Sequence, residues 1–553
     1  MLDEWRLNDT ATRRTSEAVW TAAVVVAVYM AGGWLLAFHY NSINGDALSR
    51  VANGGYVLFS RDPHLAAIGF VWNPLPSFVE MPLLLLHSWV PSLISRGFAG
   101  NIMSAVFGGI AVWALAGMLA DEKVPRPTRW VLTAAFALHP LVLYAGANGM
   151  SEAPYLCFLL VSARYLLQWV RNGRVRPLVI AGLALAFGYL TRYEVIVAAA
   201  AEIGLVGLLS VWRSHGGVRA RALSAATEAC VIGAPVAFAF AAWALVSWLI
   251  VGSPFAQFTS QYGNSAQLAL GAGGTPGGPH QRLHYVTHQV LLLEPLLAIV
   301  VVVAIAAVVA RRDAAALVPF AVFGSILVFE VFAFLKGQTA SWLRYYIVEI
   351  PMVVVLAGLF ASRQHAVAAS RPPPGRQRSG GRPLALAMRG IVVAASIVGV
   401  AVSTTIVNSP SLAREETNQL QPIFYRNSPR AKVLRRLGTE RQIAMYIASL
   451  HLTRGAVLMD VARAFTIWTQ APHPKVYLIT PDRDFAAAVQ DPVAFHVQYL
   501  LAEPPTGLGS TDELNREYPS LFATGAGIAT LVREFRSTSD LGDWRLYKVI
   551  GST

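Results

Sequence analysis

Residues 39–86 read HYNSINGDALSRVANGGYVLFSRDPHLAAIGFVWNPLPSFVEMPLLLL, and whether this stretch crosses a membrane decides the topology of everything after it. An apolar run at 19–38 precedes it, and the next run of spanning length begins at 98. Its last part, continued to residue 95, carries Pro74, Pro76, Pro82 and Pro91 and an internal Glu80. Proline removes a backbone donor and interrupts a helix, and a carboxylate is costly in hydrocarbon. Residues 71–95 are therefore expected as short juxtamembrane helices at the outer interface.

Outside that stretch the chain is rich in long apolar runs. It has 553 residues, of which 55% are hydrophobic and only 14% charged, a composition that excludes an intrinsically disordered chain and a collagen-like fibre. Two cysteines, Cys157 and Cys230, both inside apolar runs, exclude a disulfide-stapled scaffold. Eleven spanning helices are expected, at 19–38, 98–119, 131–146, 153–170, 178–193, 195–211, 223–251, 288–310, 314–335, 344–362 and 390–407. The first is too long for the apolar core of a cleavable signal peptide, so it is expected to remain as a helix.

The net charge of +13 is placed as a topology signal and not as a nucleic-acid surface. Twenty Lys and Arg residues fall in alternate loops around Arg13, Arg126, Arg174, Arg219, Arg311 and Arg376. The intervening loops hold only Arg50, Arg61, Arg96, Arg282 and Lys336, with Arg192 and Arg344 at helix edges. Positive loops stay inside. The expected arrangement is thus a cytoplasmic N-terminus at 1–18, a membrane domain at 19–410 and an extracytoplasmic domain at 411–553. The membrane domain includes an outer loop at 39–97 and a cytoplasmic basic linker at 363–389, whose RPPPGRQRSGGRP is read as a topology signal or as a contact with anionic membrane lipids.

After residue 408 the composition becomes that of a globular domain. Short strand-like runs, AVLMD (456–460), KVYLIT (475–480), VQYLLAE (497–503), IATLVREF (528–535) and WRLYKVI (544–550), alternate with amphipathic helical stretches, which predicts a small α/β fold. Asp460, Asp482 and Asp484 are expected to end strands or cap helices. The Gly-rich GAGGTPGG at 271–278 follows a span and opens no helix of a phosphate-binding motif, so it is expected as a flexible outer loop.

Ionisable residues converge on the outer face. Asp46 lies just beyond the first span, with Arg50 one helical turn later; Asp46 either caps that helix and pairs with Arg50 or serves as a base. Asp62 precedes Pro63 and either shapes a turn or joins the site. Glu152, Arg192, Glu194, Lys336, Arg344 and Tyr345 stand at other outer mouths, where Arg192 with Glu194 or Glu152 could instead simply join helices. Ionisable groups at membrane depth are functional candidates by default.

With these residues in place the chain resembles the GT-C superfamily of integral-membrane glycosyltransferases, nearest the branch of protein O-mannosyltransferases and the lipid A aminoarabinose transferase. The resemblance covers about 40–410 and rests on the serial order of GDALSR (45–50), WNPLPSFVEMPLLLL (72–86), NGMSEAPYLCFLL (148–160), LALAFGYLTRYE (183–194) and LRYYIVEIPMVVVLAG (343–358). It implies transfer of a sugar, such as mannose or arabinose, from a polyprenyl-phosphate donor to an envelope acceptor outside the cytoplasmic membrane. It further implies Asp46 as the base and Arg344, Arg192 and, more weakly, Lys336 as donor-phosphate ligands. Arg50, Asp62, Asn73, Glu152, Glu194 and Tyr345 are candidate contacts of donor or acceptor. The chain departs from the family in having Ala47 where a second acid often follows, and Asn73 in place of a His. Metal-dependent members typically use more acidic ligands than this loop offers, so no cofactor is expected and a metal-independent reaction is favoured over one that uses a divalent metal. A transporter, an envelope-assembly protein and a family member that binds lipid-linked sugar without transferring it are the alternatives; the absence of an internal repeat weighs against the first.

Overall fold

The structure, a computed structural model, describes residues 2–270, 277–311, 313–340, 342–362, 381–425 and 427–551. The Gly-rich stretch at 271–276 and residues 363–380 of the basic linker lie outside the described residues, while residues 381–389, expected as the end of that linker, open the helix Gly381–Ile406.

Apolar length converts directly into helices. Among the described residues seven are long and apolar enough to cross a membrane: Ser16–His39, Phe98–Asp121, Glu152–Asn172, Val195–Arg213, Val218–Val251, Ala314–Lys336 and Leu343–Ala361. Two of the expected single spans are instead broken. Arg126–Ala137 and Pro140–Ala147 meet at 61°, and Pro279–Leu293 and Leu297–Ala306 at 77°. Each break sits at a proline. The rings of Pro140 and Pro295 drive the preceding His139 and Glu294 out of the helical region, to ψ values of 128° and 84°. The segments expected at 178–193 and 390–407 correspond to the shorter apolar helices Val175–Tyr189 and Val393–Ile406.

The proline-rich stretch after the outer loop forms one helix of 10 residues, Leu75–Leu84, followed by turns and a single helical turn at Ser92–Ser95. Ten residues rise about 15 Å, half of the ~30 Å hydrocarbon core, so this segment is too short to span. Its Glu80 is fully buried with neither carboxyl oxygen hydrogen-bonded. Burial pushes that carboxyl well above the usual range, against the pull of Arg50, and it packs near Gly100 of the Phe98–Asp121 helix. Arg164, inside a span, pairs with Asp121 of the neighbouring helix at 2.9 Å.

All five strand-like runs of the tail become strands: β1 (Val457–Met459), β2 (Tyr477–Ile479), β3 (Tyr499–Ala502), β4 (Ala529–Phe535) and β5 (Trp544–Val549). They form one sheet in the order β2-β1-β3-β5-β4. β1 runs parallel to β2 and β3, while β3, β5 and β4 are antiparallel neighbours, with an irregularity between Leu531 and Arg533. Asp460 follows β1 and caps the next helix through the amide of Ala462 at 2.8 Å.

The sheet domain docks on the loop at 39–97. The ring of Trp468 meets Tyr56 edge-on at 4.7 Å, and a Cβ on Gly55 would stand 2.7 Å from that ring, so only glycine permits the approach. Arg61 pairs with Asp482 at 3.0 Å and with Asp484, and Gln470 donates to the carbonyl of Ser95 at 2.7 Å. A second segment reaches the sheet domain where the Tyr262 hydroxyl donates to Asp460 at 2.6 Å.

Candidate active site

The site is assembled from segments that end at the same face of the helical bundle. The Gly45–Phe59 helix is started by Asn44, whose side-chain oxygen accepts from the amides of Asp46 and Ala47. This is the cap that a first-turn acid could have supplied, and Asn44 leaves Asp46 free of that task. Nor does Arg50 pair with the Asp46 carboxylate: it donates to the Asp46 backbone carbonyl at 3.0 Å and lies over the Trp72 ring at 4.4 Å. The carboxylate instead accepts from Arg344 at 3.1 Å. Burial raises the Asp46 carboxyl, but Arg344, Arg50 and Arg192 together outweigh that and hold it below the usual carboxylate range. The carboxylate is 32% exposed.

Arg344 enters on the short helical turn Leu343–Tyr346. Its guanidinium stands among three carboxyls: Asp46 at 3.1 Å, Glu152 at 3.7 Å and Glu415 at 3.1 Å. It also lies over the Trp342 ring at 4.4 Å. Arg192 is held by Glu152 and Glu194, each at 2.7 Å, which is the helix-joining arrangement considered from the sequence. Tyr345 presents its ring to both Arg192 and Arg344, at 5.6 and 5.8 Å. Asn73 is buried and donates to the Tyr189 carbonyl, fixing the turn that opens the Leu75–Leu84 helix to the end of Val175–Tyr189.

Two cavities meet at Asp46 and Trp342. The smaller, of about 90 Å³, is lined by Arg50, Asn73, Arg192, Glu194, Arg344 and Tyr345 among others. The larger, of about 570 Å³, opens between the outer loop and the tail and is lined by Glu415, Arg430, Lys432, Arg436 and Phe465 on the tail side. Beside the smaller cavity, across Phe70, Pro74 and Leu190, runs an apolar groove of about 500 Å³ between the outer loop and the helices that contain Leu183 and Phe238.

Arg50 is buried, its Nε has no hydrogen-bond partner, and among the described residues it forms no ion pair. It is the guanidinium with fewest commitments in the smaller cavity. Two sequence candidates stand elsewhere. Lys336 is exposed at a helix end against the Phe332 ring at 5.6 Å and lines neither cavity. Asp62 pairs with Arg483 of the tail at 3.3 Å and lies at the docking surface. Among the described residues no group of three or more His, Cys, Asp or Glu is arranged to hold a metal ion; the acids at the centre converge on guanidinium groups.

Glu415 and Trp342 were not singled out from the sequence. Glu415 has one local signal, an acidic pair in the first turn of the Arg414–Phe424 helix, which reads as ordinary complementarity to a helix N-terminus. Nothing local reports that this turn returns to Arg344.

A family model described as dolichyl-phosphate-mannose-protein mannosyltransferase matches residues 89–243. No curated protein matches the chain. Among solved structures, ArnT from Cupriavidus metallidurans, bound to undecaprenyl phosphate, is similar over 97% of this chain and 99% of its own, with 15% identity and a TM-score of 0.51. The oligosaccharyltransferase AglB from Archaeoglobus fulgidus, in complex with an inhibitory peptide and a dolichol-phosphate, aligns over 88% of this chain and 69% of its own, with 11% identity and a TM-score of 0.43. The helical bundle, the juxtamembrane helix and the sheet-bearing tail are thus those of a multi-pass membrane protein whose fold is similar to that of ArnT, with a mannosyltransferase family model matching residues 89–243.

Proposed function

We propose that the chain is a membrane glycosyltransferase that moves a sugar from a polyprenyl-phosphate donor to an envelope acceptor on the outer side of the cytoplasmic membrane. The observation that carries this reading is the position of Asp46 between two cavities, one rich in guanidinium groups and flanked by an apolar groove, the other open beneath the tail. In this reading the donor phosphate lies against Arg50 and Arg344, with Arg192 holding the carboxyls around them in place, and the polyprenyl chain follows the groove. The undecaprenyl phosphate bound to ArnT supports the donor class. Twenty basic residues on one set of loops support a cytoplasmic N-terminus and an outer tail.

The acceptor hydroxyl enters from the larger cavity. Asp46 takes its proton while the bond from the anomeric carbon to the acceptor oxygen forms and the bond to the phosphate oxygen breaks, through an oxocarbenium-like transition state. The guanidinium groups stabilise the phosphate that departs. No step requires a metal, and Lys336 has no part in it. The purified protein, reconstituted in vesicles with polyprenyl-phosphate mannose or arabinose, should transfer label to an envelope extract. Deletion of the gene should leave a polyprenyl-phosphate sugar in excess and a glycan lacking one residue by mass spectrometry. Tight donor binding with no transfer to any acceptor would identify a binding protein instead.

A further inference from the structure

We propose that Glu415 makes donor binding proton-linked: the phosphate competes with this carboxylate for Arg344, so the site accepts the donor with Glu415 as a neutral acid. The inference rests on the reading of Arg344 as a donor-phosphate ligand.

The argument begins with how the cations are shared. Three guanidinium groups, Arg50, Arg192 and Arg344, stand among four carboxyls, Asp46, Glu152, Glu194 and Glu415. With all four ionised the cluster carries one negative charge in excess, which opposes entry of a phosphodiester anion. When Arg344 turns to the phosphate, each acid it leaves must find other compensation. Asp46 keeps the nearby charges of Arg50 and Arg192, and Glu152 keeps Arg192 at 2.7 Å. Glu415 keeps no ion pair, because among the described residues Arg344 is its single ion-pair partner.

That pairing is also poorly made. Nε of Arg344 and Oε2 of Glu415 lie 3.1 Å apart, yet neither atom has an aligned hydrogen bond although both are buried. Against the pull of Arg344, burial and the acids around Glu415 favour its neutral form. Beside it on the same helix are Glu416, which is buried, and the exposed Arg414. Across from it are Asp46 on the outer loop, Glu152 and Tyr144 on the bundle, and Arg344 with Tyr345. The wall of the larger cavity adds Arg430, Lys432 and Arg436, the last paired with Asp540. Burial raises the Glu415 carboxyl, Arg344 draws it down, and Glu416, Asp46 and Glu152 push it up again, to about 8. Loss of Arg344 to the phosphate raises it further. Above that pH one proton must therefore come from solvent as one phosphodiester anion enters, and the site's net charge does not change. The carboxyl is 21% exposed and lines the larger cavity, so water reaches it.

The test uses the full-length protein in detergent and polyprenyl methyl phosphate, a phosphodiester that keeps a single negative charge throughout. Its affinity should be level up to about pH 8 and then fall roughly tenfold for each further pH unit. Calorimetry at alkaline pH in buffers of different ionisation enthalpy should record proton uptake on binding. Glu415→Gln should remove both the alkaline fall and the uptake, and Glu415→Asp should retain them. An identical pH profile and proton count in wild type and Glu415→Gln would overturn the proposal. Failure of the wild type to bind the phosphodiester at any pH would overturn the donor reading and this linkage with it.

Discussion

At the scale of single residues, the decisive fact is that Asn44 caps the first outer helix and Asp46 does not. Asp46→Asn therefore leaves the cap intact, and Arg344 still has Glu152 and Glu415 beside it. The variant should fold and bind donor, while single-turnover transfer falls by about 10²- to 10⁴-fold, the range for loss of a positioned base. Near-normal turnover would remove Asp46 from the chemistry. Arg344→Lys tests the other half of the pair. Arg344 is the strongest of the groups that hold the Asp46 carboxyl below its usual range, and a point charge on a flexible stem replaces a planar fork only in part. The Asp46 carboxyl then rises, the base is protonated over more of the acid range, and the acid limb of the pH profile for single-turnover transfer moves to higher pH. Donor affinity falls at the same time, because the phosphate is present before reaction as well as in the transition state.

At the scale of elements, the site depends on how closely the turn before Glu152 approaches its neighbours. Gly149 has φ +79°, and a Cβ there would stand 3.1 Å from the backbone of Gly100 and 3.2 Å from the Cβ of Ala47. Neither neighbour is a flexible side-chain end that can swing away. Gly149→Ala should cost roughly 1–3 kcal/mol of stability, the scale of a strained backbone position, and should loosen the placement of both Glu152 and the Asp46 helix. Thermal unfolding in detergent, with and without the phosphodiester, measures both effects; an unchanged melting temperature would show that the turn tolerates a side chain. The broken helices obey the same logic of local constraint. Pro140 and Pro295 are plain in the sequence, but apolar run length counts across them and so predicts single helices at 131–146 and 288–310 where the backbone bends by 61° and 77°.

At the scale of the whole molecule, the two cavities divide between two parts of the chain. The smaller is built wholly from residues between Asp46 and Tyr345, whereas one wall of the larger is built from Val433, Leu437, Phe465, Thr466 and Leu541 of the tail. Removal of residues 431–553 should therefore spare donor binding and impair transfer to acceptor. The measurement is phosphodiester affinity and transfer rate on truncated protein whose helical content is retained by circular dichroism. Equal loss of both in such protein would argue against a division of labour. Contacts such as Tyr56 with Trp468, and Arg61 with Asp482, set the tail as a roof over Asp46, a role that no run of its own residues announces.

What the sequence by itself determined is whatever depends on neighbours along the chain. Run length and apolar content specify where helices form; short apolar runs mark the five strands of the tail; proline density keeps 71–95 short. Charge placement draws Asp46, Arg50, Asn73, Glu152, Arg192, Glu194, Arg344 and Tyr345 toward one face, and the folded chain gathers all of these around the smaller cavity or the carboxyls that border it. Pairing is another matter. Arg344 meets Asp46 across 298 positions of sequence, Glu415 meets Arg344 from far along the chain, and Lys336 and Asp62, candidates by the same charge pattern, do not reach the site. Only the tertiary structure decides among these, because an ion pair depends on distances of a few ångströms between side chains, and those distances are set by how helices and tail pack and not by their order in the chain.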